Sequence, residues 1–153
     1  MPWPPAFEAM KRGDGCEMCR QGRPEEDDYG IRVAAGSISD SYLQKAAMQR
    51  GWVVVVWRGR HVAETTELAE DEALGYWAEV LRTARAVEEY FRPLKLNLMQ
   101  LGNAIPHLHT HVLPRYTGDP DGGAPFTWTE QEVGSRPDDE LRADAAALRG
   151  LIR

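Results

Sequence analysis

Three of the four histidines fall within five residues, as His107-Leu108-His109-Thr110-His111. In an extended chain side chains alternate between faces, so this spacing projects three imidazoles to one side and Leu108, Thr110 and Val112 to the other. Imidazole near neutral pH serves as nucleophile, proton carrier or metal ligand. An exposed polar strand face and a cluster of buried, hydrogen-bonded histidines are the structural alternatives. Metal binding by all three stays open too, since same-face neighbours on a strand lie ~7 Å apart and long side chains partly close that gap. The two cysteines form a second group, Cys16-Glu17-Met18-Cys19. In a reducing compartment such a pair points to a metal or a redox couple more than to a structural disulfide. A thioredoxin-like role is disfavoured, because the pair neither follows a clear strand nor opens a helix in the sequence pattern.

The flanking patterns give the elements that must position these groups. Residues 31–35, 41–46 and 51–58 have strand propensity, strongest in the valine run Val53 to Val56 with its flanking tryptophans. Leu74, Trp77, Leu81, Ala84, Val87 and Phe91 recur at steps of three and four, the apolar face of a long helix. Asp71 and Glu72 suit its positive end, and Pro93 ends it. Leu94, Leu96 and Leu98 then alternate with polar residues as a fourth strand, and a Gly102-Asn103 turn leads to the histidine strand, residues 107–113. Residues 116–134 read as a Gly/Pro/Asp-rich loop. Within it Trp128 is a candidate to stack on a base or cover the site, with core or dimer packing as its alternative role. Residues 135–153 read as a terminal helix capped by Ser135, with Leu141, Ala145, Leu148 and Ile152 as its stripe. This order predicts an α+β fold, an antiparallel sheet with helices segregated to one face.

Whole-chain properties narrow the class of partner. At 153 residues the chain suits one domain, and 42% apolar content is globular. A formal charge of −6 is a poor match for a nucleic-acid backbone or an anionic membrane. The longest apolar run, Trp52 to Trp57, is far below the ~20 residues that span a bilayer. The opening residues lack a charged region followed by an apolar one, so the expected location is cytoplasmic. Four of the ten prolines, the cysteine pair and an acidic run at 24–28 mark the first 28 residues as an arm without helical or strand periodicity.

His-x-His-x-His followed by two aliphatic residues, with Gly102-Asn103 before it and Pro114-Arg115 after it, resembles the motif of the histidine triad superfamily. The resemblance extends over residues 29–120 through the strand order, Gly59-Arg60-His61, the long helix and the Leu96-Asn97 strand. The cysteine pair is similar to that of a zinc-bearing subset. It implies a single unit: an arm with a zinc clasp (1–28), a catalytic region (29–120), and a loop with a C-terminal helix (121–153). The implied fold is a five-stranded antiparallel sheet with a long helix across it.

The activity the resemblance implies is hydrolysis of a dinucleoside polyphosphate or a nucleoside phosphoramidate through a covalent nucleotidyl-histidine. On that pattern His109 is the nucleophile, its second nitrogen held by the backbone carbonyl of His107, and His111 serves the phosphate or the leaving group. Asn103, Asn97 and Arg115 are the implied phosphate-side contacts. Asn103 stands where many members have Gln. The resemblance also implies a structural zinc held by Cys16, Cys19, His61 and His107, and a homodimer. Rival expectations are a nucleotidyltransferase or phosphorylase, a non-catalytic nucleotide-binding module, and a metal sensor.

Overall fold

The valines at 53–56 pack on both sides, and this makes their strand the middle of a sheet. A computed structural model describes residues 2–119, 122–126 and 134–152. Its elements are α1 (Phe7–Lys11), α2 (Glu17–Gln21), β1 (Gly30–Ala35), β2 (Ser39–Gln44), β3 (Val53–Trp57), a 3-10 turn (Thr65–Glu67), α3 (Glu70–Phe91), β4 (Lys95–Met99), β5 (His109–Arg115) and α4 (Asp138–Leu151). Among the described residues the strands form one five-stranded sheet in the order β1-β2-β3-β5-β4, antiparallel throughout. The α+β expectation and the long helix are borne out.

One face of the sheet carries the main core. Ile31, Leu43, Val53, Val55, Leu108 and Val112 meet Tyr76, Val80, Ala84 and Val87 of α3, and Leu141, Ala145 and Leu148 of α4 extend the same cluster. The helix stripe differs from the sequence pattern. Leu74 is 69% exposed and Leu81 41%, while Tyr76 and Thr83 are buried. Both hydroxyls are paired inside: Tyr76 lies 2.8 Å from the Thr110 hydroxyl and donates to the Val55 carbonyl, and Thr83 meets the Ser41 hydroxyl at 2.8 Å. Once satisfied, a hydroxyl can sit in a core that hydropathy alone would deny it, and the buried stripe rotates away from Leu74 and Leu81.

Two further boundaries depart from expectation. The arm contains two short helices, and Cys16 stands at the N-terminal cap of α2. The cysteine pair therefore does open a helix. At the other end α4 begins at Asp138 behind Pro137, not at Ser135. Ser135 is taken by a bridge to Ala46, and the Arg136 N–H donates to the Lys45 carbonyl, so the chain is still extended there. Asp138, Asp139 and Glu140 then occupy the first turn, where their charge favours the helix dipole. The α4 helix is pinned by buried Asp144, which pairs with Arg136 at 3.0 Å and Arg50 at 2.8 Å.

Candidate active site and metal clasp

The opposite face of the sheet holds the candidate site. β5 lies between β3 and β4, with Val56 opposite His109, and Val54 and Met99 opposite His111. Trp52, Val54, Val56 and Arg58 alternate along the β3 chain toward this face. With Tyr42, His109 and His111 they line a cavity of about 200 Å³. Tyr42, Val54 and Val56 pack together there, with Met18 of α2 and Trp52 against them. The arm thus supplies one wall of the cavity.

His109 is held by a single local bond. Its Nδ1 lies 2.6 Å from the backbone carbonyl of His107. A carbonyl only accepts, so Nδ1 carries the proton and Nε2 is left as a lone pair. Burial lowers the His109 pKa from its ordinary value, with the bond to the His107 carbonyl working the other way. His111 is pushed down to about 4, chiefly by burial and then by the adjacent His109 ring. The two rings meet edge to face with centroids 4.9 Å apart, and both are neutral at pH 7. The Trp52 indole N–H lies 3.2 Å from His111 Nδ1.

Positive charge is held at the cavity wall. Asp40, fully buried, pairs with Arg58 at 2.9 Å and with Arg23 at 2.6 Å. Two guanidinium groups share this one carboxylate, and Arg58 faces the cavity, whose lining also includes Glu17 and Asp27. Arg58 also donates to the Tyr42 hydroxyl and to the Met18 carbonyl, tying the arm to the sheet.

His107 precedes the regular ladder of β5 and turns to the arm. Its Nδ1 lies 3.5 Å from both Cys16 Sγ and Cys19 Sγ, and His61 Nδ1 is 3.4 Å from Cys19 Sγ. All four ligand atoms fall within 4.8 Å of one another. A tetrahedron with zinc–sulfur bonds near 2.3 Å and zinc–nitrogen bonds near 2.05 Å has sulfur–nitrogen edges of about 3.6 Å. The three short sulfur–nitrogen separations match those edges, so the donor set suits a divalent cation of zinc's size. The outer nitrogens are already committed: His107 Nε2 to the Trp57 carbonyl at 2.8 Å and His61 Nε2 to the Lys11 carbonyl at 3.2 Å. Such bonds orient imidazole ligands and leave Nδ1 for the metal. Burial and the Cys16 sulfur push the Cys19 thiol up to about 11. The convergence of four donor atoms from the arm and the sheet, and not the place of the pair at α2, is what makes the set a candidate metal site.

The remaining expected contacts lie elsewhere. Asn97 and Arg115 share the histidine face, but Arg115 donates to the Asn97 amide oxygen at 3.0 Å, to Asp119 at 2.9 Å and to the Ala124 carbonyl at 3.0 Å. Neither lines the cavity of His109 and His111. Asn103 is exposed and borders a groove formed with Trp3, Pro4 and Pro5. Trp128 lies outside the described residues. Residues absent from the sequence reading include Tyr42, Arg58 and Gln100. Gln100 donates to the Thr110 hydroxyl and lines a small cavity shared with His109. The period-two continuation Trp52-Val54-Val56-Arg58 was the available signal for Arg58.

A five-stranded antiparallel sheet with a long helix across it, and alternating histidines at its fifth strand, form a histidine triad fold. Residues 39–118 match the HIT domain, and the chain belongs to that family. It is 29% identical over 117 residues to "Protein hit" of Bacillus subtilis, covering 72% of this chain and 78% of that protein. It is 30% identical over 99 residues to an AP-4-A phosphorylase of Mycobacterium tuberculosis, covering 61% of this chain and 50% of the relative, so it spans about half of that protein's length. Among solved structures it is similar to a histidine triad protein of Bradyrhizobium japonicum, with TM-score 0.75, 28% identity, and coverage of 82% of this chain and 92% of the other.

Proposed function

We propose that the protein cleaves a nucleotide joined through phosphorus to a leaving group, a dinucleoside polyphosphate or a nucleoside phosphoramidate, by way of a nucleotidyl-His109 intermediate. The observation that carries this reading is the 2.6 Å bond from His109 Nδ1 to the His107 carbonyl, which turns the Nε2 lone pair to the cavity. A neutral imidazole needs no separate base to attack. Nε2 would bond to phosphorus as the leaving group departs, and water would then release the nucleoside monophosphate and restore His109. His111 would donate to a phosphoryl oxygen or the departing group. The apolar wall of Tyr42, Val54 and Val56 suits a nucleoside, and the Arg58 guanidinium at the same cavity suits its phosphates. Asn97, Asn103 and Arg115 would join the phosphate only by leaving the partners described above.

Cys16, Cys19, His61 and His107 would hold a zinc ion as a closed structural set, which stiffens the strand carrying His109. No helix of the described residues is long and apolar enough to cross a membrane. Two thiols kept as metal ligands suit a reducing compartment such as the cytoplasm. A homodimer through α3 and the edge strand β4 would cover Leu74, Leu81 and Leu98, all exposed in the single chain.

The test is release of nucleoside monophosphate from diadenosine polyphosphates, adenosine phosphoramidate and their guanosine counterparts. Turnover by wild type and a loss of at least ~10²-fold in His109→Ala support the reading, on the scale of removing a covalent nucleophile. Binding without product by both proteins makes the cavity a binding site only. The similarity to an AP-4-A phosphorylase favours a second reading, in which phosphate takes the nucleotide from His109. Nucleoside diphosphate formed only in the presence of inorganic phosphate distinguishes it.

A further inference from the structure

The two cavity histidines must do opposite things with the nitrogens they present, and each has a distinct partner for its other nitrogen. For His109 that partner is an acceptor, the His107 carbonyl. For His111 it is a donor, the indole N–H of Trp52, 3.2 Å from Nδ1. An indole nitrogen donates and never accepts. A proton on His111 Nδ1 would therefore set N–H against N–H in a half-buried contact, and a neutral ring avoids this by carrying its proton on Nε2. The structure assigns Trp52 as a positioning residue that holds His111 in the Nε2–H tautomer, so that a nucleophilic lone pair on His109 faces a hydrogen-bond donor on His111 across one cavity. This inference rests on the nucleotidyl-transfer reading above for its kinetic consequence, but not for the tautomer itself.

Local placement supports the assignment. Trp52 directly precedes β3, on the face that carries Val54 and Val56, and its ring lies 5.7 Å from the His111 ring at a 35° tilt. Gly51 makes this placement possible: it has φ +79°, and a Cβ there would stand 2.7 Å from the Phe91 ring. The tryptophan is thus delivered by a turn that only glycine accommodates easily. With His111 neutral, tautomer choice is the variable left to set. Losing one neutral hydrogen bond releases that choice without charging the ring.

The test is nitrogen-15 NMR of the imidazoles in the intact protein, wild type and Trp52→Phe, at pH 7. Phenylalanine keeps an aromatic ring beside His111 and removes the N–H donor. In wild type we expect His109 with its proton on Nδ1 and His111 with its proton on Nε2. In Trp52→Phe we expect His109 unchanged and His111 converted to a mixture of tautomers. With the best substrate of the panel, kcat should fall roughly three- to tenfold, the scale of one lost neutral hydrogen bond. A His111 proton on Nδ1 in wild type overturns the assignment without any variant. An unchanged Nε2–H tautomer in Trp52→Phe overturns it as well, and a role limited to packing predicts that result. If the tautomers behave as expected while no nucleotide is turned over, the positioning role stands and the nucleotidyl-transfer reading fails.

Discussion

Disrupting the proposed metal clasp tests the link between the arm and the histidine strand. The perturbation is Cys16→Ser, chosen because Cys16 is 1% exposed and its sulfur sits 3.5 Å from His107 Nδ1. No described residue before Ile31 belongs to the main core cluster, so loss of the metal should leave the sheet and α3 folded. Two of the four donors, His61 and His107, belong to the body of the domain, however, and unfolding that body must release the ion. At a free zinc level about 100-fold above Kd, binding contributes about 2.7 kcal/mol. For a domain of this size each kcal/mol moves Tm by about 2–4 °C, which predicts a loss of roughly 5–11 °C. The arm should loosen locally as well. It keeps the Arg23–Asp40 pair at 2.6 Å and the Tyr42 hydroxyl bond to the Pro24 carbonyl at 2.9 Å, and these hold residues 23–24 while the stretch around α1 and α2 opens. The assays are metal content per chain, thermal unfolding with and without chelator, and limited proteolysis. Wild type should hold one zinc per chain, and cleavage within residues 7–21 should accelerate in the variant. Wild type without metal, with a Tm indifferent to chelator, would refute the clasp. An unfolded Cys16→Ser chain would refute the claim that the core stands alone.

Two further outcomes follow from the same geometry. Because burial pushes His111 down to about 4 from an ordinary 6.5, the unfolded chain takes up a proton that the folded chain refuses between those values. The stability tied to this group is therefore complete above pH 6.5 and declines as pH falls, by about 2 kcal/mol between pH 7 and pH 5. An NMR titration should place the His111 midpoint well below 6, and a midpoint at 6.5 would contradict its burial. On the opposite edge of the sheet, Leu98 of β4 is 39% exposed, and an unpaired apolar edge invites association. Leu98→Lys should shift light-scattering mass from dimer to monomer, and a wild type that is already monomeric would remove the dimer proposal.

Much of the site was legible because short-range spacing carries it. The alternation of His107, His109 and His111 with Leu108, Thr110 and Val112 sorts the two faces of one strand by geometry alone, and the valine run marks a central strand by its apolar content. Chain spacing also exposed Cys16 and Cys19 as a pair. Their partners His61 and His107 lie 42 and 88 residues from Cys19, and only the resemblance to a family joined them before the fold was known. What the tertiary structure decided depends on partners distant in sequence. Tyr76 and Thr83 enter the core because Thr110 and Ser41 meet their hydroxyls, and that pairing displaces Leu74 and Leu81 to the surface. Arg115 turns to Asp119 and Asn97 instead of the cavity because opposite charge and an amide oxygen lie within reach. Trp52 reads as one more strand hydrophobe until the pairing of β3 with β5 sets its N–H against His111. Periodicity reports which face a residue occupies; which atom it meets there is settled only when elements far apart in the chain pack, since a hydrogen bond is made over about 3 Å and not over a pattern.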